Sequence, residues 1–232
     1  MSNLTQPDTN SAIIPALRFH RLTRFYDRVL ALAIPEQQLK SELTAAALEG
    51  LQPGDRVLDL GCGTGTLTIM LKQAAPEVEV VGLDGDSEVL ALAKSKAEAA
   101  GVQLDLQGGL SYEAPFPPAS FNRVVSSLVF HHLTSEAKLQ TFKKVGELLG
   151  PGGELHVLDW GQAQNPLMRF AFLGVQLLDG FKTTTDNVDG CLVPMMREAG
   201  FSDASETRRR ASMFGTLSLY RATTSGREAG EL

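Results

Sequence analysis

RVLDLGCGTGTLTIMLKQ, residues 56–73, sets an apolar run of strand length against a helix-like run, with Gly61, Gly63 and Gly65 at alternate positions between them. A strand that passes into a helix through glycines reads as the first turn of an open α/β sheet, whose ligands lie beyond the carboxyl ends of the strands. Glycine permits positive φ and has no β-carbon, so a ligand can touch backbone there while the next helix offers its free amides. The spacing separates two ligand classes. A dinucleotide turn reads G-x-G-x-x-G, whereas G-C-G-T-G is one residue shorter and follows Asp59, which argues against NAD. Asp84 ends the next apolar run about 20 residues on, where a carboxylate can accept both hydroxyls of an adenosine ribose.

Outward from this stretch the chain alternates strand and helix. Periodicity predicts strands over 56–60, 78–83, 102–107, 121–127 and 154–159, with helices over 65–75, 87–100 and 135–149 between them. Asp86 or Ser87 starts the second of these helices, Gly101 closes it, and Gly150-Pro151-Gly152-Gly153 stops the third. Such alternation implies a mostly parallel sheet covered by helices on both faces. Two extended runs, 202–209 and 213–221, read as an antiparallel hairpin that closes the sheet edge. The expected architecture is therefore a three-layer, Rossmann-like α/β fold with a seven-stranded sheet. Upstream, helices are predicted over 16–33 and 36–49, and we expect residues 1–50 to form a helical cap on a domain of residues 51–232. Residues 162–182 are apolar nearly all round one helix and suggest an insert, at about 162–190, lying over the strand ends. Leu167, Met168, Phe170, Phe172 and Leu173 are its candidate pocket walls.

With 232 residues, 43% of them hydrophobic, the chain has enough apolar surface for one full core. A net charge of −6 excludes a global field that would draw it to nucleic acid or an anionic membrane. Two cysteines are too few for a disulfide framework and point to a reducing compartment. The first eleven residues are polar, and no uninterrupted apolar run reaches the length of a membrane span, so a cytoplasmic protein without stable membrane insertion is expected, as monomer or homodimer. Four histidines and two scattered cysteines show no zinc-ligand spacing, so no metal is expected. Arg18, Arg21, Arg24 and Arg28 share one side of the first helix and read as a solvated face, as does Arg208-Arg209-Arg210.

The stretch VLDLGCGTG, residues 57–65, resembles the first motif of the class I methyltransferases that depend on S-adenosylmethionine, and VVGLDGDSEVLALAK, SFNRVVSSLVFHHL and LLGPGGELHVLDW occupy the later motif positions. The resemblance covers roughly residues 50 to 160. It is nearest to the small-molecule branch that contains the ubiquinone and menaquinone methyltransferases, whose late helix is similar to MMREAGF, residues 195–201. It implies S-adenosylmethionine as cofactor, S-adenosylhomocysteine as product and a small, apolar or aromatic acceptor. Gly61, Cys62, Gly63 and Gly65 would lie along the methionine moiety and adenosine, with Asp59 orienting the loop or meeting the amino group. Asp84 would hold the ribose, with Gly85 and Leu110 on either side of the adenine and Ser126 near the methionine end. The family often reads Gly-Asp where this chain reads Gly108-Gly109, so the acidic partner of the adenine amino group is absent and backbone would take its place. Tyr26 or Phe25 would cover the ligand, an aromatic face suiting a sulfonium. His131 and His132 are the candidate catalytic bases, and Asp159 and Trp160 would line the acceptor pocket or seal its floor.

The alternatives are a nucleic-acid or protein methyltransferase, a nicotinamide oxidoreductase, and a non-catalytic S-adenosylmethionine-binding protein. The acidic balance counts against nucleic acid, as does SSLVFHH where a base-flipping enzyme of this class would carry Asn/Asp-Pro-Pro-aromatic.

Overall fold

The computed structural model describes residues 36–225. The expected helix over 16–33, with Phe25, Tyr26 and the arginine stripe, lies outside the described residues. The chain runs α1 (Glu36–Leu48), β1 (Arg56–Leu60), α2 (Thr66–Ala74), β2 (Glu79–Asp84), α3 (Ser87–Ala99), β3 (Asp105–Gly108), β4 (Phe121–Ser127), α4 (Ser135–Leu148) and β5 (Leu149–Gly161). It continues through α5 (Pro166–Asp179), α6 (Phe181–Val188), α7 (Leu192–Glu198), β6 (Asp203–Ser212) and β7 (Gly215–Thr223). Short 3-10 turns at Ser111–Glu113 and Phe130–His132 follow β3 and β4. The seven strands form one sheet in the order β3-β2-β1-β4-β5-β7-β6. β1 to β5 are parallel, and the β6–β7 hairpin joins antiparallel through β7 on β5.

Each central strand is apolar on both sides because helices cover both faces. Leu58 and Leu60 of β1 pack in one core with Val124, Phe130, Phe142, Val145 and Met196, on the side of α4 and α7. Val57, the alternate residue, packs in the other with Leu39 and Leu43 of α1, Leu67 and Leu71 of α2, and Phe172 and Val175 of α5. Helix α1 is thus part of the layer that covers the sheet. The rings of Phe130 and Phe142 stack at 4.4 Å between centroids and 14° between planes. This ties the turn after β4 to helix α4.

Three local departures from the expected elements have identifiable causes. β3 starts at Asp105, not 102, because Gly101 takes φ +68° and Val102 N–H donates back to the Ala97 carbonyl at 2.9 Å, which commits both residues to the end of α3. Gly150-Pro151-Gly152-Gly153 does end α4, but it lies inside β5, where the register jumps between Phe121 opposite Leu149 and Arg123 opposite Glu154. The run 162–182 is two helices: Asn165 caps α5 by accepting from Met168 N–H at 2.9 Å, and Gly180, at φ +97°, separates α5 from α6. Only one side of α5 is buried, through Phe172, Val175 and Gln176; Leu167, Phe170, Leu177 and Leu178 are exposed.

Charge ties complete the frame. Lys138 of α4, wholly buried, donates to the Thr183 carbonyl and to Asp186 Oδ2 of α6. On edge strand β6, Arg208 and Arg210 pair with Glu42 of α1 at 2.8 and 3.0 Å. No helix among the described residues is long and apolar enough to cross a membrane.

Phe142→Ala removes the stacking partner of Phe130 from a fully buried position. Urea unfolding should show a loss of about 3–5 kcal/mol, the cost of a large-to-small aromatic truncation in a core.

Candidate functional site

The chain leaves β1 through a turn that its sheet neighbour fixes. Gly61 and Cys62 N–H both donate to the Leu83 carbonyl of β2, at 2.8 and 2.9 Å. Gly61, Gly63 and Gly65 all have positive φ, at 73°, 54° and 73°. At Gly61 a β-carbon would also lie 2.4 Å from Val129 Cγ2, so both conformation and space require glycine there. At Gly65 it would lie 3.0 Å from Ala93 Cβ of α3, so this glycine serves helix packing. Gly63 has nothing within 4 Å of that position.

Above the turn lies a cavity of about 630 Å³, within the ~300–1,000 Å³ range of small-molecule sites. Asp84 stands on its wall with its carboxylate fixed by backbone: Oδ2 accepts from Gly63 N–H at 2.8 Å and Oδ1 from Asp86 N–H at 3.0 Å. Each oxygen keeps acceptor capacity for a ligand hydroxyl. Beyond Asp84 the wall is formed by Gly85 and Leu110 in contact with each other, since a β-carbon on Gly85 would stand 3.2 Å from Leu110 Cδ2; no ring fits between them, against the expectation that they flank an adenine on either side. Gly109 is also on the wall, and a β-carbon there would meet Leu83 Cδ1 and Pro115 Cδ, each at 3.1 Å. Close packing at position 109 is a physical reason why this chain has no acidic side chain there.

The opposite end is formed by the residues after β4. Ser127, Leu128, Val129, His132 and Leu133 line it. Leu128 holds φ +59°, unusual for a branched residue, and its N–H donates to the Leu158 carbonyl at 2.8 Å. Ser127 Oγ is buried and has no hydrogen-bond partner in the protein.

Behind this end sits a buried polar cluster. His131 Nδ1 lies 2.8 Å from Asp159 Oδ1, while Asp159 also accepts from Phe130 N–H, Trp160 N–H and Asn187 Nδ2 at 2.8, 2.7 and 3.1 Å. The His131 and His132 rings stand 3.9 Å apart. Repulsion from His131, with burial second, pushes the His132 imidazole down to about 3, against the pull of Asp159, so it is neutral at physiological pH.

The structure brings Gly61, Cys62, Gly63, Asp84, Gly85, Leu110 and His132 together on the cavity wall. It places four other sequence candidates off it. Asp59 is buried and accepts from Thr68 Oγ1 of α2 at 2.6 Å, because it shares the α1–α2 side of β1 with Val57. Gly65 packs on α3. Ser126 points inward and donates to the Leu60 carbonyl at 2.8 Å, one residue out of phase with Ser127. His131 is turned to Asp159. The α5 residues Leu167, Met168, Phe170, Phe172 and Leu173 do not line the cavity; Phe172 instead meets Trp160 edge-on at 5.2 Å. Sequence reasoning missed Glu36, Lys40, Thr64, Thr66 and Tyr112, all of which line it. Among the described residues no His, Cys, Asp or Glu group is arranged to hold a metal ion.

Residues 57–153 match the family described as the methyltransferase domain. The demethylmenaquinone methyltransferase of Thermus thermophilus is 40% identical over 108 residues, 45% of this chain and 47% of that protein. That of Symbiobacterium thermophilum is 26% identical over 231 residues, 88% of this chain and 90% of its own length. The chain spans about half the length of the first curated relatives it matches, 47% and 54%. Among solved structures, YcgJ from Bacillus subtilis aligns with a TM-score of 0.66 at 15% identity, over 82% of this chain and 99% of its own. Phosphoethanolamine N-methyltransferase 2 from Haemonchus contortus, solved with S-adenosyl-L-methionine, aligns with a TM-score of 0.62 at 15% identity, over 79% and 52%. The fold is that of the Rossmann-like methyltransferases, and residues 57–153 are similar to their methyltransferase domain. Within that class the chain resembles the demethylmenaquinone methyltransferases.

Asp59 gives a pH test of its buried placement. Burial, opposed by the Thr68 hydrogen bond, raises its carboxyl to about 6. An acid with a raised value in the folded state opposes folding once it ionises, so the penalty is absent below about pH 4 and complete above about pH 6. Asp59→Asn should therefore gain stability relative to the unmodified chain, by up to about 3 kcal/mol, as urea unfolding is moved from about pH 4 to about pH 7.

Proposed function

We propose that the chain is an S-adenosylmethionine-dependent methyltransferase acting on a small, quinone-type aromatic molecule. The observation that carries this reading is Asp84, held by two backbone N–H groups at the end of β2 beside a glycine turn that leaves its cavity side bare. In this assignment the Asp84 oxygens accept the ribose hydroxyls. Gly85 and Leu110, packed against each other, give the adenine one shared wall, and backbone at Gly109 replaces the acidic contact that the family often has. Gly61 to Gly63 run along the methionine moiety. The cofactor supplies an electrophilic methyl group on a sulfonium. The protein has to align a nucleophile with it and exclude water. The quinone-type acceptor is inferred from the names of the relatives and from the apolar end of the cavity, Leu128, Val129 and Leu133. We also propose that α1 closes one end of the cavity through Glu36 and Lys40.

His132 is assigned the acceptor's proton, and Asp159 through His131 positions it. A neutral imidazole adds no second positive charge beside the sulfonium. It is a weak base, which suffices because an aromatic acceptor that has just received a methyl cation is strongly acidic. With the cofactor bound, the acceptor would take the methyl group as its bond to sulfur is given up, and the acceptor's proton would pass to His132.

Titration calorimetry should show saturable binding of S-adenosylmethionine and S-adenosylhomocysteine and none of NAD, with Asp84→Ala losing both. NAD binding alone would overturn the assignment. Single-turnover assays with a reduced demethylated quinone should show His132→Ala slowed by about a hundredfold with cofactor affinity kept, the typical contribution of a positioned base. The rate of the unmodified chain should show no limb from His132 between about pH 5 and about pH 8, because that group is neutral throughout the window.

A further inference from the structure

An amino-acid ligand end needs partners for both an ammonium and a carboxylate, and Asp59, the residue the family resemblance points to for the amino group, is buried on Thr68 and off the cavity wall. The wall nevertheless carries a matched pair. Glu36 and Lys40 stand one helical turn apart on α1, on one face, and both line the cavity beside the Gly61–Thr64 turn. Lys40 Nζ lies 2.7 Å from Glu36 Oε1. The Lys40 side chain is only 14% exposed, so this is no freely solvated surface pair.

The charges around the cavity narrow what this pair can receive. Glu36, Asp84 and Asp86 are acidic, His132 is neutral, and among the described residues Lys40 is the one Lys or Arg on the wall. Among the described residues, a carboxylate that enters here meets the Lys40 ammonium on the wall, the next cation being Lys96 in an adjoining cleft, where its Nζ donates to Thr66 Oγ1 at 2.5 Å. That second cleft, of about 420 Å³, shares Glu36, Lys40 and Thr66 with the first.

We propose that Glu36 and Lys40 form the receptor for the α-amino-acid end of the cofactor, an inference that rests on the S-adenosylmethionine reading above. Lys40 Nζ donates to the ligand carboxylate, and the Glu36 carboxylate accepts from the ligand ammonium. The internal pair is exchanged for two intermolecular ones, so the charge balance of the site is unchanged on binding. This makes the two residues selective for adenosyl compounds that carry a complete amino-acid tail.

The test is calorimetric titration of the full chain, unmodified and as Lys40→Met and Glu36→Gln, with three ligands. S-adenosylhomocysteine carries the whole tail, decarboxylated S-adenosylmethionine lacks only the carboxylate, and methylthioadenosine lacks both groups. Lys40→Met should weaken S-adenosylhomocysteine by about tenfold, the loss of one charge-assisted hydrogen bond, and leave the other two ligands within about twofold. Glu36→Gln should weaken the two ligands that keep the ammonium and spare methylthioadenosine, whose unchanged binding reports that each variant is folded. Equal weakening of all three ligands, or no change for S-adenosylhomocysteine, overturns the receptor. If the unmodified chain binds none of the three, the underlying cofactor reading falls and takes this inference with it.

Discussion

The Leu83 carbonyl, which accepts from both Gly61 and Cys62 N–H, is the point on which the site depends. Two donors on one acceptor turn the chain out of β1 across the end of β2, and this cannot be done with a β-carbon at Gly61 because Val129 already occupies the space. The same clasp sets Gly63 N–H against Asp84, so one turn fixes both the bare backbone surface and the carboxylate that faces it. Central position in the sheet makes this possible. β1 has β2 on one side and β4 on the other, and the crevice opens where the strand order reverses between them.

How much of this was readable in the sequence follows the range of the interactions. The glycine turn, Asp84 and the Asp86 cap are set within a few tens of residues, and their spacing announces them. Side-chain parity was harder. Ser126 and Ser127 are adjacent in an apolar run, and only the phase of β4 decides that Ser126 bonds Leu60 while Ser127 reaches the cavity. Asp59 could have been assigned inward by its alternation with Val57, but the motif drew attention to its carboxylate and away from its strand face. Which histidine faces the cavity depends on a 3-10 turn and on Asp159, far along the chain, so no local pattern separates His131 from His132. Lys40 was invisible for a related reason: its place on the wall exists only because Leu39 and Leu43 dock α1 on the sheet.

The polar groups divide into two roles by burial. Lys138 with Asp186, and Asp159 with His131 and Asn187, are enclosed and hydrogen-bonded, and they join α4, α6 and the turn after β4 into one unit behind the cavity. Such groups stay buried only because partners surround them, and that rigidity holds His132 in place. Asp84, Glu36 and Lys40 are on the wall and retain capacity for a ligand. Stability and recognition therefore fall to different carboxylates.

At the far boundary of the sheet, closure of a parallel array by an antiparallel hairpin leaves β6, ten residues long, as an edge that another chain can extend. This strand carries Arg208, Arg209 and Arg210 in succession, so an approaching strand meets charged side chains along its middle. Glu42 and Glu206 hold those side chains in place through ion pairs. The arginine run thus contributes to colloidal stability: it keeps this long edge of the fold from templating aggregation, at a distance from the chemistry that the strand ends near β1 support.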